Sequence, residues 1–401
     1  MPLLQSAITL PRPQAVRRAR TIEILHPDYL EGENTLLVFR ALDDDGIDHD
    51  TVLAACGIIA GNIWTGFLAT RNGDNNLNGT LVPVTRPADG ILRAESYYFQ
   101  LPDAHASERP YPVVVRFSDW CFPHRNLPPP WSDVGSQEAL SPSCRLTDAG
   151  WGVEKAHLVP LSVQPWWIRE GLGRYTITDR FSQADIDADD NLIMLRSDMH
   201  KLFDEKVFAI VPKRDAELRN RSESGEPQAE TSLEYQDPQG PLQLSLVTHI
   251  FNPISDAYFN ATYHNRKLLP FRHSVECLFA RFAWTLFSPG VVGTFLEQCI
   301  TERRVLIFDP ARRRFGVETR NSEQTHAIYK ASQSRSVSPR KRAAGEMAGD
   351  CEIAAVDLDG ETEDQSPADS GFAAEVSPDR GRPRKRRCEG SEYHKVSRSS
   401  L

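Results

Sequence analysis

Two histidines and an asparagine near the middle of the chain have the types and spacing that hydrolytic chemistry needs. His157 lies in an Ala-His-Leu-Val-Pro segment, Asn191 lies in an Asp-Asn-Leu segment, and His200 begins a His-Lys-Leu-Phe-Asp segment. A neutral imidazole can take a proton from water or bind a divalent metal, and an amide can tie a loop through hydrogen bonds. Such groups can hold one metal and activate one water against a phosphodiester. These three residues are therefore candidates for metal-assisted hydrolysis.

The order and spacing of these residues resemble the HNH (His-Me finger) nuclease family. In that family a strand carries a general base, a crossing loop ends in an Asn, and a helix presents a metal ligand. The nine-residue step from Asn191 to His200 fits this pattern. The resemblance implies that His157 is the catalytic general base, that Asn191 ties the loop and orients the base, and that His200 binds the metal. It also implies one divalent metal as cofactor, Mg²⁺ or Mn²⁺ rather than Zn²⁺.

The predicted ligand set departs from the family pattern at one position. Many HNH nucleases carry a metal-binding Asp or His immediately before the base, where this chain has Ala156. Asp204 lies four residues after His200, on the same helical face, and is a candidate second metal ligand as well as an ordinary surface carboxylate. Glu154 points to the same side of an extended strand as Ala156, so it is another candidate ligand. If neither replaces the missing group, metal binding is weak or catalysis is lost.

The elements that must hold these residues predict an α+β fold. A ββα-metal (HNH) module is expected to lie embedded in a larger mixed domain that ends in a disordered C-terminal tail. Alternating apolar residues over 21–25 and 243–250 indicate strands, and the apolar stretch 48–70 predicts a buried helix. Apolar residues at helical spacing over 273–287 predict a core helix that closes the domain.

Changes in composition along the chain predict six segments. They are a flexible N-terminus (1–19), an N-terminal α+β region (20–130), the HNH module (144–212), an exposed loop (213–241), the C-terminal part of the folded body (242–315) and a disordered charged tail with basic clusters (316–401). The module has no pair of CxxC zinc knuckles, because Cys144 keeps only one such cysteine. We therefore expect the flanking domain to brace it, through Trp151, Trp166 and Trp167.

The bulk composition is ordinary for a globular protein. The chain has 401 residues, of which 40% are hydrophobic and 25% charged, and its formal net charge of −9 argues against a uniformly basic nucleic-acid coat. Its seven scattered cysteines show no CxxC and predict reduced thiols of an intracellular protein. No secretory pattern is evident, and glycines interrupt the longest apolar stretch, so no membrane partner is expected.

A looser similarity extends beyond the module. Over roughly 20–300 the chain resembles uncharacterised fungal proteins that embed an HNH module of this type, with Ala55 to Leu68 and Phe279 to Trp284 as the similar stretches. The polar stretch Tyr263-His264-Asn265-Arg266 is also part of this similarity. A satisfied structural cluster is the favoured interpretation of that stretch, and a second functional site is the alternative.

The end of the chain carries a basic segment that resembles the core of an AT-hook. Its candidate DNA-binding residues are Arg380, Gly381, Arg382, Pro383, Arg384 and Lys385. An AT-hook lies extended in the minor groove of A·T-rich DNA, whereas the same basic cluster also fits a nuclear import signal. Import alone, import with DNA contact, and neither function all stay open. The predicted partners are double-stranded DNA and a nuclear import receptor, and the predicted location is the nucleus, with the cytoplasm as the alternative.

Together these features predict a nuclear HNH-type endonuclease that hydrolyses phosphodiester bonds in DNA with one divalent metal. Ala156 favours an alternative from a different class, in which the HNH fold survives as a catalytically inactive DNA-binding or scaffold module. A third hypothesis is an interaction protein in which His157, Asn191 and His200 only stabilise a loop. Binding of a metal that depends on His200 separates the enzyme from the scaffold.

Overall fold

The computed structural model describes most of the chain between residues 20 and 334. The described ranges are 20–72, 80–102, 109–135, 141–176, 185–214, 244–253, 257–312 and 314–334. Within these ranges the chain forms fourteen strands and seven α-helices, which confirms the predicted mixed α+β class. None of the helices in these ranges has both the length and the apolar character needed to cross a bilayer.

A five-stranded sheet forms the N-terminal part of the fold. Its strands are β1 (Thr21–Leu25), β2 (Thr35–Arg40), β4 (Phe67–Arg71), β5 (Leu81–Pro83) and β7 (Ser96–Gln100), in the order β2-β1-β7-β4-β5. Strand β1 is antiparallel to β2 and parallel to β7. The alternation that predicted a strand over 21–25 is therefore confirmed, with Ile22 and Ile24 fully buried.

The helix predicted over 48–70 is shorter than expected. Helix α1 spans His49–Ile59, and Asp48 caps it by accepting a hydrogen bond from the Thr51 amide. It ends because Gly61 and Asn62 adopt positive φ angles of 73° and 69°, which are left-handed conformations that terminate helices. The apolar residues Phe67 and Leu68 at the end of the stretch belong to β4. Two short strands, β3 (Ile47–Asp48) and β6 (Ile91–Leu92), pair beside the helix start.

The middle of the chain forms a β-hairpin followed by a helix. Strand β9 (Val153–His157) pairs antiparallel with β10 (Leu192–Arg196), so that His157 lies opposite Leu192. Helix α2 (Gln164–Glu170) lies in the connection, and helix α3 (Ser197–Asp204) follows β10 without a loop. This strand–strand–helix unit is the ββα arrangement that the sequence predicts.

The C-terminal part of the fold packs helices against two further sheets. Strands β11 (Phe208–Arg214) and β12 (Leu244–Ile250) form a hairpin, and β8 (Val113–Val114), β13 (Arg303–Asp309) and β14 (Arg314–Arg320) form a three-stranded sheet in the order β14-β13-β8. The helices are α4 (Ala257–Tyr263), α5 (Val275–Leu286), α6 (Gly293–Glu297) and α7 (Ser322–Ser334). The strand predicted over 243–250 and the core helix predicted over 273–287 are confirmed within a few residues.

The predicted start of a disordered tail at residue 316 is wrong. Strand β14 pairs with β13 through seven residues, and helix α7 follows it. The Ser322 hydroxyl donates to the Cys299 carbonyl at 2.6 Å, and Thr325 is fully buried. The segment is polar because β14 is an edge strand in which none of the seven residues is buried, so few apolar side chains are needed. Residues 335–401 lie outside the described part of the chain, and so does the N-terminal segment 1–19.

The exposed loop predicted over 213–241 begins later than expected. Lys213 and Arg214 complete strand β11, and the Lys213 side chain is buried. Polar residues at the end of a strand can be buried when a charge partner is nearby, and composition alone does not show such a partner. The rest of the predicted loop lies outside the described ranges.

One aromatic core joins the ββα unit to the elements around it. The ring of Trp166 on α2 stacks on that of Trp120, with centroids 5.6 Å apart, and the ring of Trp131 lies 5.1 Å from that of Phe279 on α5. Trp166 and Trp167 are buried, which agrees with the bracing role predicted for them. Trp151 does not share this role, because 76% of its side chain is exposed.

Candidate active site

His157 ends strand β9 and contacts an aspartate that the sequence did not single out. Its Nε2 lies 2.7 Å from Oδ1 of Asp187, which precedes strand β10 in the crossing loop. If Nε2 carries the proton and donates it to Asp187, Nδ1 keeps the lone pair that a base needs. Asp187 is 68% exposed, so this pair lies at the surface and is accessible to a large substrate. An acidic run around residue 187 is the only signal that the sequence carries for it.

Asn191 ties the crossing loop to the end of β9. Its Oδ1 accepts a hydrogen bond from the Val159 amide at 2.8 Å, and its Nδ2 donates to the carbonyls of Val159 and Ile186 at 3.1 and 2.8 Å. The side chain is fully buried. Asn191 therefore holds the backbone two residues after His157 and one residue before Asp187, and it acts on the imidazole through the backbone.

His200 lies on helix α3 between two carboxylates. Met199 and Phe203 face the core, which turns His200 and Asp204 together toward a neighbouring face of the helix. Oε2 of Glu154 lies 2.9 Å from Nδ1 of His200, and Oδ2 of Asp204 lies 3.4 Å from its Nε2. The structure thus brings together all three predicted metal-binding residues.

The two carboxylates around His200 require a positive charge. A neutral imidazole carries a proton on only one nitrogen, so the other nitrogen would direct its lone pair at a carboxylate. With the proton on Nδ1 and donated to Glu154, a cation between Nε2 and Asp204 removes that repulsion. Nitrogen and carboxylate oxygen are ligands that divalent metals accept. The residues present therefore fit a metal ion on the Asp204 side of the ring, with Glu154 as an outer partner of the histidine.

The arrangement divides the predicted ligand set between the two nitrogens of His200. Glu154 contacts Nδ1 and Asp204 contacts Nε2, so only one of the two carboxylates lies beside any one nitrogen. Ala156 is fully buried and packs in the core on the same strand face as Glu154. The position before His157 therefore contributes packing rather than a ligand.

Ser197 and Asp198 make the polar contacts at the start of helix α3. Ser197 is the first helical residue, and its hydroxyl donates to the Gly152 carbonyl at 2.9 Å. The carboxylate of Asp198 accepts from the Met199 amide and pairs with the guanidinium of Arg196, at 2.9 and 2.7 Å. These contacts hold the helix start against the turn before β9.

Arginines tie the ββα unit to the rest of the fold in the absence of zinc knuckles. Cys144 is a buried free thiol. Arg272 makes two hydrogen bonds, at 2.9 and 3.2 Å, to the buried carboxylate of Asp190, the residue before Asn191. Arg145 donates to the Pro270 carbonyl at 3.0 Å, and its own carbonyl accepts from the Leu269 amide. Residues 269–272 of the flanking domain therefore add polar contacts to the packing of Trp166 and Trp167.

A second group of possible ligands lies in a buried polar cluster. One ligand atom each from Asp43, His249 and His264 lies within 4.8 Å of the other two, and no other such group of three exists among the described residues. Nζ of Lys213 lies 2.6 Å from Oδ1 of Asp43 and already supplies the positive charge. Burial lowers the pKa of both histidines, which stay neutral.

The protonation of His264 argues against its Nε2 as a metal ligand in this cluster. Its Nδ1 accepts from the Ile250 amide at 3.3 Å, so its proton lies on Nε2 and is donated to Asp43 at 2.9 Å. A nitrogen that donates has no lone pair for a metal. His249 is the exception in this cluster, because its buried Nδ1 lies 3.9 Å from Oδ2 of Asp43 and has no hydrogen-bond partner among the described residues. The structural interpretation favoured for the stretch that contains His264 therefore stays a prediction. The predicted DNA-binding residues Arg380 to Lys385 lie outside the described part of the chain.

Comparison with known proteins gives one match, and it covers the ββα unit. Residues 143–211 match a family model described as HNH endonuclease. The chain contains an HNH endonuclease module. Its matched bounds agree with the predicted module over 144–212. No curated protein and no solved structure matches the chain.

The HNH module implies a nuclease, and therefore nucleic acid as substrate. Nucleases of this family generally use a divalent metal, which agrees with the ligands around His200. Residues 269–272, which contact the module, lie outside the segment that matches the family.

Proposed function

We propose that this protein is a metal-dependent HNH endonuclease that hydrolyses phosphodiester bonds in double-stranded DNA. The observation that carries the proposal is the placement of His200 between two carboxylates, in an HNH module whose other histidine has its own aspartate. Two acidic partners demand a positive charge on or beside the ring, and a bound divalent cation supplies that charge while the imidazole stays neutral.

His157 is the proposed general base. Asp187 holds the imidazole in one tautomer and stabilises the imidazolium that forms when Nδ1 takes the proton from an attacking water. The pair at the end of β9 is open to solvent, so a water and a phosphodiester can approach together. Asn191 keeps this geometry by holding the backbone on both sides of the pair.

His200 and Asp204 are the proposed metal ligands, with Mg²⁺ or Mn²⁺ as the ion. The ion would supply a positive charge for the scissile phosphate and the leaving oxygen. Glu154 accepts a hydrogen bond from Nδ1–H of His200, which leaves the lone pair of the ring on Nε2, beside Asp204. Three protein groups thus prepare one cation position without a ligand from position 156.

A second candidate function rests on the buried Ala156. A module that has lost a family ligand can keep its fold and bind DNA without cutting it. In that case the carboxylates around His200 would only pair with its imidazolium. Binding of Mn²⁺ that depends on His200 distinguishes the two functions.

The C-terminal basic segment is the proposed partner site for DNA and for a nuclear import receptor. Its Arg-Gly-Arg-Pro order supports minor-groove contact, and its following basic run supports import into the nucleus. Replacing Arg380, Arg382, Arg384 and Lys385 by Ala is expected to weaken DNA binding and to shift the protein toward the cytoplasm. The resemblance to fungal proteins stays a prediction.

A plasmid-nicking assay tests the proposed function. Purified full-length protein is incubated with supercoiled plasmid and Mg²⁺ or Mn²⁺, beside His157→Ala, His200→Ala and the control His326→Ala on helix α7. We expect nicking by the wild type and by the control, and its loss in both module variants. His157→Ala should still bind Mn²⁺, because its ring is not a proposed ligand.

The other outcomes separate the alternatives. Normal nicking by His157→Ala would show that another group is the base. Absence of nicking in protein that still binds the plasmid would favour the inactive DNA-binding module. Single-stranded DNA and RNA, tested in the same way, show whether double-stranded DNA is the preferred substrate.

A further inference from the structure

Helix α5 carries a buried arginine that reaches both halves of the HNH module. Arg281 is fully buried, and it lies outside the segment that matches the HNH family. Its Nη1 donates to the carbonyls of His157 and Leu158, each at 3.4 Å, and its Nη2 donates to the carbonyl of Phe203. One guanidinium therefore joins the end of β9 to the last turn of α3.

The three carbonyls belong to the two elements that carry the proposed chemistry. His157 is the last residue of β9 and the proposed base. Phe203 follows His200 on α3 and immediately precedes Asp204, the proposed second ligand. Because α3 is a short helix, a shift of its last turn moves both proposed ligands relative to His157. The planar fork of Arg281 fixes that relation with several donors.

Aromatic rings hold the guanidinium at this position. Its central carbon lies 3.4 Å from the centroid of the Phe203 ring and 4.5 Å from that of Trp284. Burial lowers the pKa of Arg281 to about 9, and the negative charge of Asp204 opposes this shift, so the group stays charged at neutral pH. Burying a charge is costly, so an apolar side chain would suit this position better if packing were its only role.

We propose that Arg281 is a positioning residue of the HNH site, which sets the distance between the base His157 and the ligands His200 and Asp204. The expected effect of Arg281 on the rate of DNA cleavage rests on the proposed nuclease function. Its expected effect on the surroundings of His157 and His200 does not. Without Arg281, the end of β9 and the last turn of α3 lose their common link, and both histidines change their surroundings.

The test compares Arg281→Met with the same substitution at Arg303. Arg303 is also fully buried, lies 4.5 and 4.8 Å from the rings of Tyr29 and Phe295, and donates to the carbonyl of Glu33 at 2.5 Å. It therefore matches Arg281 in burial, stacking and backbone contacts, but it lies in another part of the fold. Both Met variants are expected to lower the thermal unfolding midpoint.

Only Arg281→Met should disturb the site. We expect its kcat for plasmid nicking to fall about 100-fold with little change in KM, because misplacing reactive groups by about 1 Å costs this much. Arg281→Lys should recover part of the loss. In metal-free protein, the imidazole NMR signals of His157 and His200 should shift in the Arg281 variants and stay unchanged in Arg303→Met.

Equal effects of the two Met variants on kcat and on the imidazole signals would overturn the proposal, since Arg281 would then be structural only. If Arg281→Met does not fold, Arg281→Lys and Arg303→Lys give the same comparison. A wild type that does not nick DNA would contradict the proposed function, and the imidazole signals would still decide the role of Arg281.

Discussion

Glu154 on strand β9 places its Oε2 2.9 Å from Nδ1 of His200 on helix α3. This contact crosses from the first strand of the hairpin to the helix, so it fixes the orientation of the imidazole as well as its position. Because Asp204 lies at the other ring nitrogen, the protonation of His200 decides where a cation can be held. Glu154 therefore influences cation binding at Nε2 of His200, although its own carboxylate lies at Nδ1, on the other side of the ring.

Glu154→Gln is expected to weaken Mn²⁺ binding by roughly 10–100-fold, the range that is typical for outer partners of a metal-binding histidine. The amide oxygen of Gln can still accept a hydrogen bond from Nδ1–H, but this bond is weaker than one to a charged carboxylate. Isothermal titration with Mn²⁺ measures the change. Glu205→Gln is the matched control, because Glu205 only pairs with Lys201 at 3.9 Å. Equal Mn²⁺ affinities of the wild type, Glu154→Gln and Glu205→Gln would show that Glu154 does not contribute to the metal site.

Asp204→Asn is expected to weaken Mn²⁺ binding more than Glu154→Gln, by more than about 100-fold, because a ligand matters more than its outer partner. The same titration gives the comparison, again with Glu205→Gln as control. A smaller loss in Asp204→Asn than in Glu154→Gln would place the ion on the Nδ1 side of His200, with Glu154 as the ligand.

Asp187→Asn is expected to lower kcat for plasmid nicking by about 100-fold, at the lower end of what general base catalysis contributes. An amide can still touch Nε2 of His157, but it does not stabilise the imidazolium that forms. The matched control is Asp189→Asn, since Asp189 is equally exposed and pairs only weakly with Lys155, at 3.4 Å. Thermal unfolding should be nearly unchanged in both. An unaltered kcat in Asp187→Asn would mean that the contact is incidental.

His26 is expected to make the fold acid-sensitive. Burial lowers the pKa of His26 from about 6.5 to about 3, with its Nε2 held at 3.2 Å from the Tyr111 carbonyl. Between these values the unfolded chain binds a proton that the folded chain does not, so the free energy of unfolding falls as pH drops from 6.5 toward 3. The slope from this group is about 1.4 kcal/mol per pH unit.

Chemical denaturation at a series of pH values between 7 and 4 tests this expectation. His26→Asn should show a shallower loss of stability than the wild type over the same window. The variant is expected to be less stable at pH 7, because the stacking of His26 on the Tyr111 ring is lost. Parallel pH profiles for the two proteins would show that another group causes the acid sensitivity.

The sequence alone predicted the HNH module and its three central residues because they depend on local structure. A strand, a crossing loop and a helix follow one another along the chain. The spacing of His157, Asn191 and His200 in the sequence therefore predicts the element on which each of them lies. The bounds of the module agree with the family match within one residue at each end. Strand β1 and helix α5 were predictable for the same reason, since their apolar periodicity is a local property.

The errors arose where a local pattern has two physical meanings. The polar stretch after residue 316 suggested disorder, yet it forms an edge strand and a helix. The apolar stretch 48–70 suggested one helix, yet two left-handed residues divide it into a helix and a strand. Trp151 has a large apolar side chain of the kind found in protein cores, but the tertiary structure leaves it exposed.

Sequence by itself determined which groups could do chemistry and the element on which each lies. Only the tertiary structure decided that Asp187 rather than a neighbouring aspartate meets His157, and that Glu154 and Asp204 lie at opposite nitrogens of His200. It also decided that Arg272 pairs with Asp190 across 82 positions, and that Arg281 reaches the carbonyl of His157 across 124. Such partners meet because the apolar faces of distant elements pack into one core, and no periodicity within a single element specifies which polar groups that packing brings together.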